Sequence, residues 1–504
     1  MNVLARAFHA RARSQWRSRE WTLNGMRRAL DEIIARFPVY RTYVGDAGAA
    51  PEDRRYIDWA VAQAKKHWSG ADRSIFDYIH GVLTGDLAAR GTGFNRAAVL
   101  RLAMKFQQLT GPVMAKGAED TAFYRYARLI ALNEVGGDPR RFGLSVAAFH
   151  HSCEARAKRF PQAMLASTTH DTKRGEDARA RLALLSEIPR EWETHLARWA
   201  RFNRRRRGEI DGEPALDRND EYFFYQTVVG AWPPELSAAA VDAVAQFAER
   251  VAATMIKMLR EAKERSSWSN PNLDYEAVVA RFAAGALDAA RPNPFLRDLE
   301  LFLARLARPS AVNSLAQTLI KLTAPGVPDT YQGAELWDFS MVDPDNRRPV
   351  DWARRAQLLA ALEPLAGGAP VSPAAFAELA AQGRDGREKF FLIRRVLALR
   401  AAAPMLFAAG AYLPLATQGR FADRLCAFAR LAEGRAAVTV APRLVADLYR
   451  DGQAIDWGDT TVALPSEPSD LASSAGSSWR DALAGRPLDL PANPAPAATL
   501  LAPF

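Results

Sequence analysis

Apolar residues recur at helical spacing through the first third of the chain. Met26, Leu30, Ile33 and Ile34 fall at i, i+4, i+7 and i+8 behind Thr22, a residue type that caps helix starts, and predict a helix that stops before Pro38. A second helix begins at Pro51, with Tyr56, Ala60, Ala64 and Trp68 on one face, and residues 95–108 make another. The pattern changes at Ala163-Met164-Leu165-Ala166, a short apolar run that turns abruptly polar in Ser167-Thr168-Thr169-His170-Asp171. This reads as a buried parallel strand emptying into a loop. A helix follows with Ala178, Leu182 and Leu185 on one face, and residues 190–300 are again mostly helical, with a long stretch over 238–264. A helix over 310–322 leads into Ala324-Pro325-Gly326-Val327-Pro328-Asp329, where Pro and Gly exclude a central helix and fit a short strand and turn. Helices then run to about residue 403. From Tyr412 onward, short apolar runs at 425–431, 437–440 and 460–464, separated by turn residues, predict an antiparallel β domain. The Pro/Ala-rich tail, 491–503, is expected to pack loosely. No internal repeat is visible.

Helix, buried strand, helix, buried strand and a terminal β domain predict an α/β fold. It is the C-terminal part of a (β/α)8 barrel with large helical insertions, followed by an antiparallel β-sandwich. The expected divisions are 1–160 (helical), 161–403 (late barrel strands and helices, with a helical insertion at about 190–300) and 404–504 (β). In such barrels chemistry sits on the loops that leave the strand ends. That directs attention to Thr169-His170-Asp171 and to Asp329-Thr330-Tyr331-Gln332-Gly333.

Composition narrows the function classes. The 504 residues are 49% hydrophobic and 25% charged, enough for large cores and unlike a disordered chain. No uncharged apolar run approaches the ~18 residues of a membrane span. The start carries Arg6, Arg11 and Arg13 but no apolar core with a cleavage site, so it does not read as a signal peptide and the expected compartment is the cytoplasm. Two distant cysteines, Cys153 and Cys426, exclude a disulfide framework, and seven histidines without ligand spacing argue against a metal site. The net charge of +10 concentrates most sharply at Arg204-Arg205-Arg206-Arg207. No aromatic interleaving accompanies it, so a solvated loop is preferred to a phosphate-binding patch, and no nucleic-acid partner is expected.

His170-Asp171 places a carboxylate beside an imidazole, a pair suited to charge-assisted hydrogen bonds with sugar hydroxyls. Lys173, Arg174, Glu176 and Asp177 crowd the same turn. The competing reading is a capped helix start with solvent-facing charges, Asp171 or Thr172 serving the first amides. Asp343-Pro344-Asp345-Asn346-Arg347-Arg348-Pro349-Val350-Asp351 offers acids, an amide and guanidinium groups that match a hydroxyl pattern, or else a loop stitched by its own turns and ion pairs. Trp337 beside it is either a stacking surface for a pyranose ring or core.

Thr168-Thr169-His170-Asp171-Thr172-Lys173-Arg174-Gly175-Glu176-Asp177, and Pro325 to Asp338 with its continuation to Asp351, resemble signatures of the maltooligosyl trehalose synthases of the α-amylase clan. Arg19-Glu20-Trp21-Thr22-Leu23, Phe37-Pro38-Val39-Tyr40-Arg41-Thr42-Tyr43, Tyr225 to Pro233 and parts of the β tail are similar too, so the resemblance runs nearly end to end. It implies a glucan substrate and conversion of the reducing-end α-1,4 linkage of a maltooligosaccharide into an α,α-1,1 linkage. The route is a retaining double displacement between carboxyl groups about 5–5.5 Å apart. It implies no cofactor and no membrane partner. By resemblance Asp171 is the transition-state stabiliser with His170 beside it, Lys173 and Arg174 belong to the substrate-binding turn, and Asp343, Asn346 and Arg347 contact sugar hydroxyls.

The resemblance also marks a departure. The family's nucleophile Asp and acid Glu lie in motifs of the type Arg-x-Asp-His-x-Asp-Gly and Glu-Lys-Ile, and neither occurs in this sequence. The expectation is a fragmentary gene model, with a separate amino-terminal half as a partner chain, or a degenerate gene, as the competing readings. The chain alone is then expected to be inactive. The alternative function is a non-catalytic glucan-binding or partner subunit.

Overall fold

The computed structural model describes all residues except 17, 71, 90–91, 367–369, 450–454, 466–478, 491–492 and 502–504. The chain divides into two compact units, Met1–Ala122 and Phe123–Phe504. Residues 123–160, grouped with the first segment on sequence grounds, thus lie in the second unit.

The first unit is helical. Thr22 Oγ1 accepts the Gly25 amide at 3.0 Å and starts the helix Leu23–Ile34, whose Met26, Leu30, Ile33 and Ile34 are buried. Pro51 opens Pro51–His67, whose core face is Ile57, Ala60, Val61 and Ala64. Tyr56 and Trp68 are only half-buried at its margin. Asn95 caps Arg96–Met114, which continues as a π-helical segment, Ala115–Ala122. These helices share one core built on Phe8, Leu30, Ile57, Phe76 and Phe106.

The second unit is also dominated by helices. Pro189–Phe202, Arg218–Ala231, Val241–Ala262, Leu273–Ala286 and Pro294–Thr323 enclose an aromatic core around Trp192, Trp199, Phe224, Tyr225, Phe282, Phe295 and Phe302. The last helix is 30 residues long and begins well before the expected 310. Pro309 lies inside the helix and is itself buried. A proline costs an interior helix one amide hydrogen bond, and burial of the flanking apolar face (Phe302, Leu306, Val312, Leu315) offsets that loss.

The two predicted strands exist and pair in parallel, Met164–Leu165 with Val327–Pro328. Burial is where the expectation fails. Met164 is 70% and Val327 44% exposed, because this sheet has two strands and nothing described covers that side. Among the described residues no barrel closes around the pair.

Among the described residues the C-terminal region contains three small antiparallel sheets, one of them the short pair Arg480–Asp481 with Arg486–Pro487. Leu425–Ala432 pairs with Arg435–Pro442 on one side and Ala411–Pro414 on the other, and Thr461–Val462 pairs with Thr417–Gln418 and Ala495–Pro496. The tail is not loose where it is described: Ala497 and Leu501 are buried beside Trp457 and Val462. Its residues 491–492 and 502–504 lie outside the described set. Arg206 and Arg207 of the arginine run are tied inward, to Asn203 Oδ1 at 2.9 Å and to Glu221 at 2.9 Å. No described helix is long and apolar enough to cross a membrane. Both cysteines are buried free thiols.

Candidate functional site

Three threonines fold the loop that leaves Met164–Leu165. The Asp171 amide donates to Thr169 Oγ1 at 3.2 Å, the Thr172 hydroxyl donates to the Thr169 carbonyl at 2.9 Å, and the Glu176 amide donates to Thr168 Oγ1 at 2.9 Å. The following helix, Glu176–Ala183, therefore starts without help from Asp171. The helix-cap reading of Asp171 fails for that reason. His170 and Asp171 are exposed, and their side chains make no hydrogen bond or ion pair to any described residue.

The second polar loop is fastened from the helix Val241–Ala262. Lys257 Nζ donates to Asp343 Oδ1 at 2.5 Å and to the Asp343 carbonyl at 2.8 Å. Arg250, two turns earlier on the same face, holds Asp345 through two bonds of 2.6 and 2.9 Å. Burial alone would push the Asp345 carboxyl up, but Arg250 and Arg348 outweigh it and hold the group below its ordinary value. Thus anchored, the loop reaches back to the first. Asn346 Nδ2 donates to the His170 carbonyl at 3.1 Å and to that of Thr169 at 3.4 Å, and Arg347 Nη2 reaches the His170 carbonyl at 3.4 Å. Asn346 Oδ1 is buried with no hydrogen-bond partner among the described residues. Arg347 also lies 3.8 Å from Asp343. The structure therefore brings together His170, Asp171, Asp343, Asn346 and Arg347, from segments far apart in sequence.

Lys173 and Arg174 lie beneath the loop rather than on it. Their amides donate to the Glu134 carboxylate, at 2.8 and 3.0 Å from Lys173 and 3.2 Å from Arg174. Arg174 then turns inward: Nη1 donates to the Ile130 carbonyl at 3.1 Å and its guanidinium lies 5.3 Å from the Phe223 ring centre. Burial pushes it down to about 10. This corrects the expectation of a sugar contact, because the guanidinium is committed to the protein interior. Lys173 is buried and lines a small internal cavity with Tyr124, Thr227 and Ser340.

Glu176 and Asp177, solvent-facing in the competing capped-helix reading, are completely buried. Lys389, from the helix Arg387–Ala402, lies 2.5 Å from Glu176 and 2.8 Å from Asp177 and donates to the Leu336 carbonyl at 3.2 Å. Lys321 lies 3.6 Å from Glu176, and the Ser167 hydroxyl also donates to it. Burial opposes ionisation of Glu176, yet the two ammonium groups prevail and hold it down at about 2. Asp177 is pushed up, by burial first and by the neighbouring Glu176 charge, despite Lys389. Asp177 Oδ2 accepts the Asp338 amide at 2.6 Å, and the Gly175 amide donates to the Ser340 carbonyl at 2.9 Å. The cluster thereby ties the first loop to residues 336–340.

Beside the joined loops lies a cleft of about 390 Å³, lined by Tyr331, Trp337, Asp338, Asn346, Arg348 and Arg354 among others. Trp337 is half-buried at its wall and its indole N–H donates to the Gly383 carbonyl at 2.6 Å. No described cluster of three or more His, Cys, Asp or Glu residues could hold a metal ion.

Sequence reasoning missed Lys389, Lys321, Glu134, Arg250 and Lys257. One signal was available: Lys389 shares a helical face with Leu392, Ile393 and Val396, all buried. A cation on such a face needs a buried anion.

No family model matches this chain. A putative maltooligosyl trehalose synthase of Mycobacterium tuberculosis is 38% identical over 454 residues, 87% of this chain and 51% of that protein. The maltooligosyltrehalose synthase structure from Arthrobacter ramosus superposes with a TM-score of 0.70 at 36% identity, covering 94% of this chain and 52% of that one. A hypothetical maltooligosyl trehalose synthase of Sulfolobus tokodaii gives 0.61 at 26% identity, covering 85% and 51%. The chain spans about half the length of the relatives it matches.

Proposed function

We propose that this chain, which is similar over most of its length to half of a maltooligosyl trehalose synthase, carries part of a site for intramolecular transglycosylation of maltooligosaccharides. The reaction converts the reducing-end α-1,4 linkage to α,α-1,1, in trehalose formation. The single observation that carries the reading is the junction of the two signature loops, where Asn346, itself in the wall of the polar cleft, and Arg347 grip the His170 carbonyl and leave the His170 and Asp171 side chains exposed and unpaired among the described residues. An unpaired carboxylate held by its main chain suits a group whose bonds to sugar hydroxyls strengthen as positive charge develops on the ring. Asp171 is the stabiliser in this reading, and His170, Asn346, Asp343 and Arg347 position hydroxyls. Lys173 lies in the floor under the pocket that retains the freed glucose. Retention lets that glucose, rather than water, attack the glycosyl intermediate. The nucleophile and the acid come from a second segment that completes the barrel on the open side of Met164–Leu165 and Val327–Pro328, with no cofactor.

The experiment is an assay of maltopentaose conversion by the 504-residue chain, alone and with a second chain that carries the two missing motifs. No conversion is expected alone. With the second chain, maltooligosyl trehalose forms and Asp171→Asn lowers kcat by at least about 100-fold while the fold is kept. A folded Asp171→Asn variant within about threefold of the parent rejects the assignment. Conversion by the chain alone rejects the placement of nucleophile and acid elsewhere.

A further inference from the structure

The loop after Val241–Ala262 holds a feature that the transglycosylation site does not use. Trp268 is 56% exposed, and its indole N–H donates to no described residue. An exposed tryptophan on a mobile loop would mean little, but this one is braced. The Arg260 guanidinium lies 4.9 Å from its ring centre. Arg260 is itself fixed to Glu276 by two bonds, 2.8 and 2.7 Å. Ser266, buried, donates to the same carboxylate at 2.5 Å and accepts the Asn272 amide at 3.0 Å. The turn between is closed by the Asn270 amide, which donates to Ser267 Oγ at 3.0 Å. Ser269 and Asn270, the next two residues in sequence, are exposed, and the Asn270 carboxamide is bonded to no described residue.

We propose that Trp268 is a binding platform for a pyranose ring of an α-linked glucan. Its indole would supply the stacking face and an N–H donor, and the Asn270 amide would supply a donor and an acceptor for ring hydroxyls. The identity of the ligand rests on the glucan reading above. The position fits a unit of the chain remote from the reacting bond. Arg260 stands three residues beyond Lys257, on the same face of the helix that anchors Asp343. The platform thus continues the side of the helix that faces the candidate site. The brace supplies the preorganisation of the stacking face: the Trp268 ring is already held by Arg260, so only the Asn270 carboxamide must be ordered on binding.

The test uses the 504-residue chain in native affinity electrophoresis through gels with and without soluble amylose, with dextran as the α-1,6 control. Circular dichroism melts check the fold of each variant. Retardation by amylose and not dextran is expected, with affinity about five- to tenfold weaker in Trp268→Ala and largely kept in Trp268→Phe, which retains a stacking face. Equal retardation of parent and Trp268→Ala overturns the platform and leaves the glucan reading standing. No retardation of the parent, with conversion of maltopentaose still seen once the second chain is present, likewise overturns the platform alone. Absence of both overturns the reading on which it rests.

Discussion

Lys389→Met is the sharpest probe of how the site is held. The parent ammonium is completely buried, 2.5 Å from Glu176 and 2.8 Å from Asp177. Methionine fills a similar volume but leaves Lys321, 3.6 Å from Glu176, as the remaining ion-pair partner of the two carboxyl groups among the described residues. Removing one partner of a buried ion pair costs about 3–5 kcal/mol, and Lys321 places this case near the lower end. In a unit of this size that is a fall in Tm of about 4–5 °C, read by differential scanning calorimetry at pH 7. The pH dependence separates a charge effect from a packing effect. Glu176 is held down at about 2 against an ordinary 4.5. A depressed carboxyl contributes stability that is present above its unfolded value and is lost as pH falls through the folded one. In Lys389→Met most of that contribution is missing already, so the gap between parent and variant should close as pH falls from 4.5 toward 2. Neutralising the acids as well, in Glu176→Gln/Asp177→Asn/Lys389→Met, should recover much of the loss. A deficit below about 1 kcal/mol at pH 7, or one that does not change with pH, refutes the reasoning.

Burial, only partly offset by the Tyr275 hydroxyl, pushes Asp220 up from 3.8 to about 6. A raised carboxyl favours folding while protonated and loses that contribution as pH rises through about 6, so Asp220→Asn, which keeps an acceptor for Tyr275, should stabilise the chain by about 1–3 kcal/mol at pH 7.5. Denaturant melts at pH 5 and 7.5 that show no gain at the higher pH contradict this. A Cβ at Gly175 would sit 2.3 Å from the Asp338 carbonyl oxygen, so Gly175→Ala should cost about 1–3 kcal/mol by prising residues 338–341 from the first loop. Gly117→Ala, with nothing within 4 Å of the added carbon and a place inside the helical segment Ala115–Ala122, is the control and should be neutral or stabilising by up to about 1 kcal/mol.

The helices of the first unit were legible because capping and periodicity are local: Thr22, Pro51 and Asn95 each act within one turn of where they stand. The two parallel strands were legible as apolar runs ending in polar loops. Their exposure was not, since strand burial depends on what covers the strands and not on their own residues. The buried charges misled for the same reason. Glu176 and Asp177 look like first-turn acids that complement a helix dipole, and it is Lys389, more than two hundred residues on, together with Lys321, that offsets their burial.

What the sequence did single out, the junction of residues 168–177 with 338–351, has a physical logic visible only in three dimensions. Among the described residues, every bond to the His170-Asp171 turn is made to its main chain: Asn346 and Arg347 donate to carbonyls, Thr169 Oγ1 takes the Asp171 amide, and Glu134 takes the amides of Lys173 and Arg174. A site residue fixed through its own side chain must break those bonds before it can meet a ligand, and a buried acceptor left behind costs about 1–3 kcal/mol. Fixing the backbone instead leaves the imidazole and the carboxylate oriented but uncommitted. The expense is moved below the loop, where Glu134, Glu176, Asp177, Lys321 and Lys389 exchange solvation for one another. On this reasoning substitutions in the lower layer should act on stability and on the placement of Asp171 together, whereas substitutions of Asp171 itself should act on turnover alone.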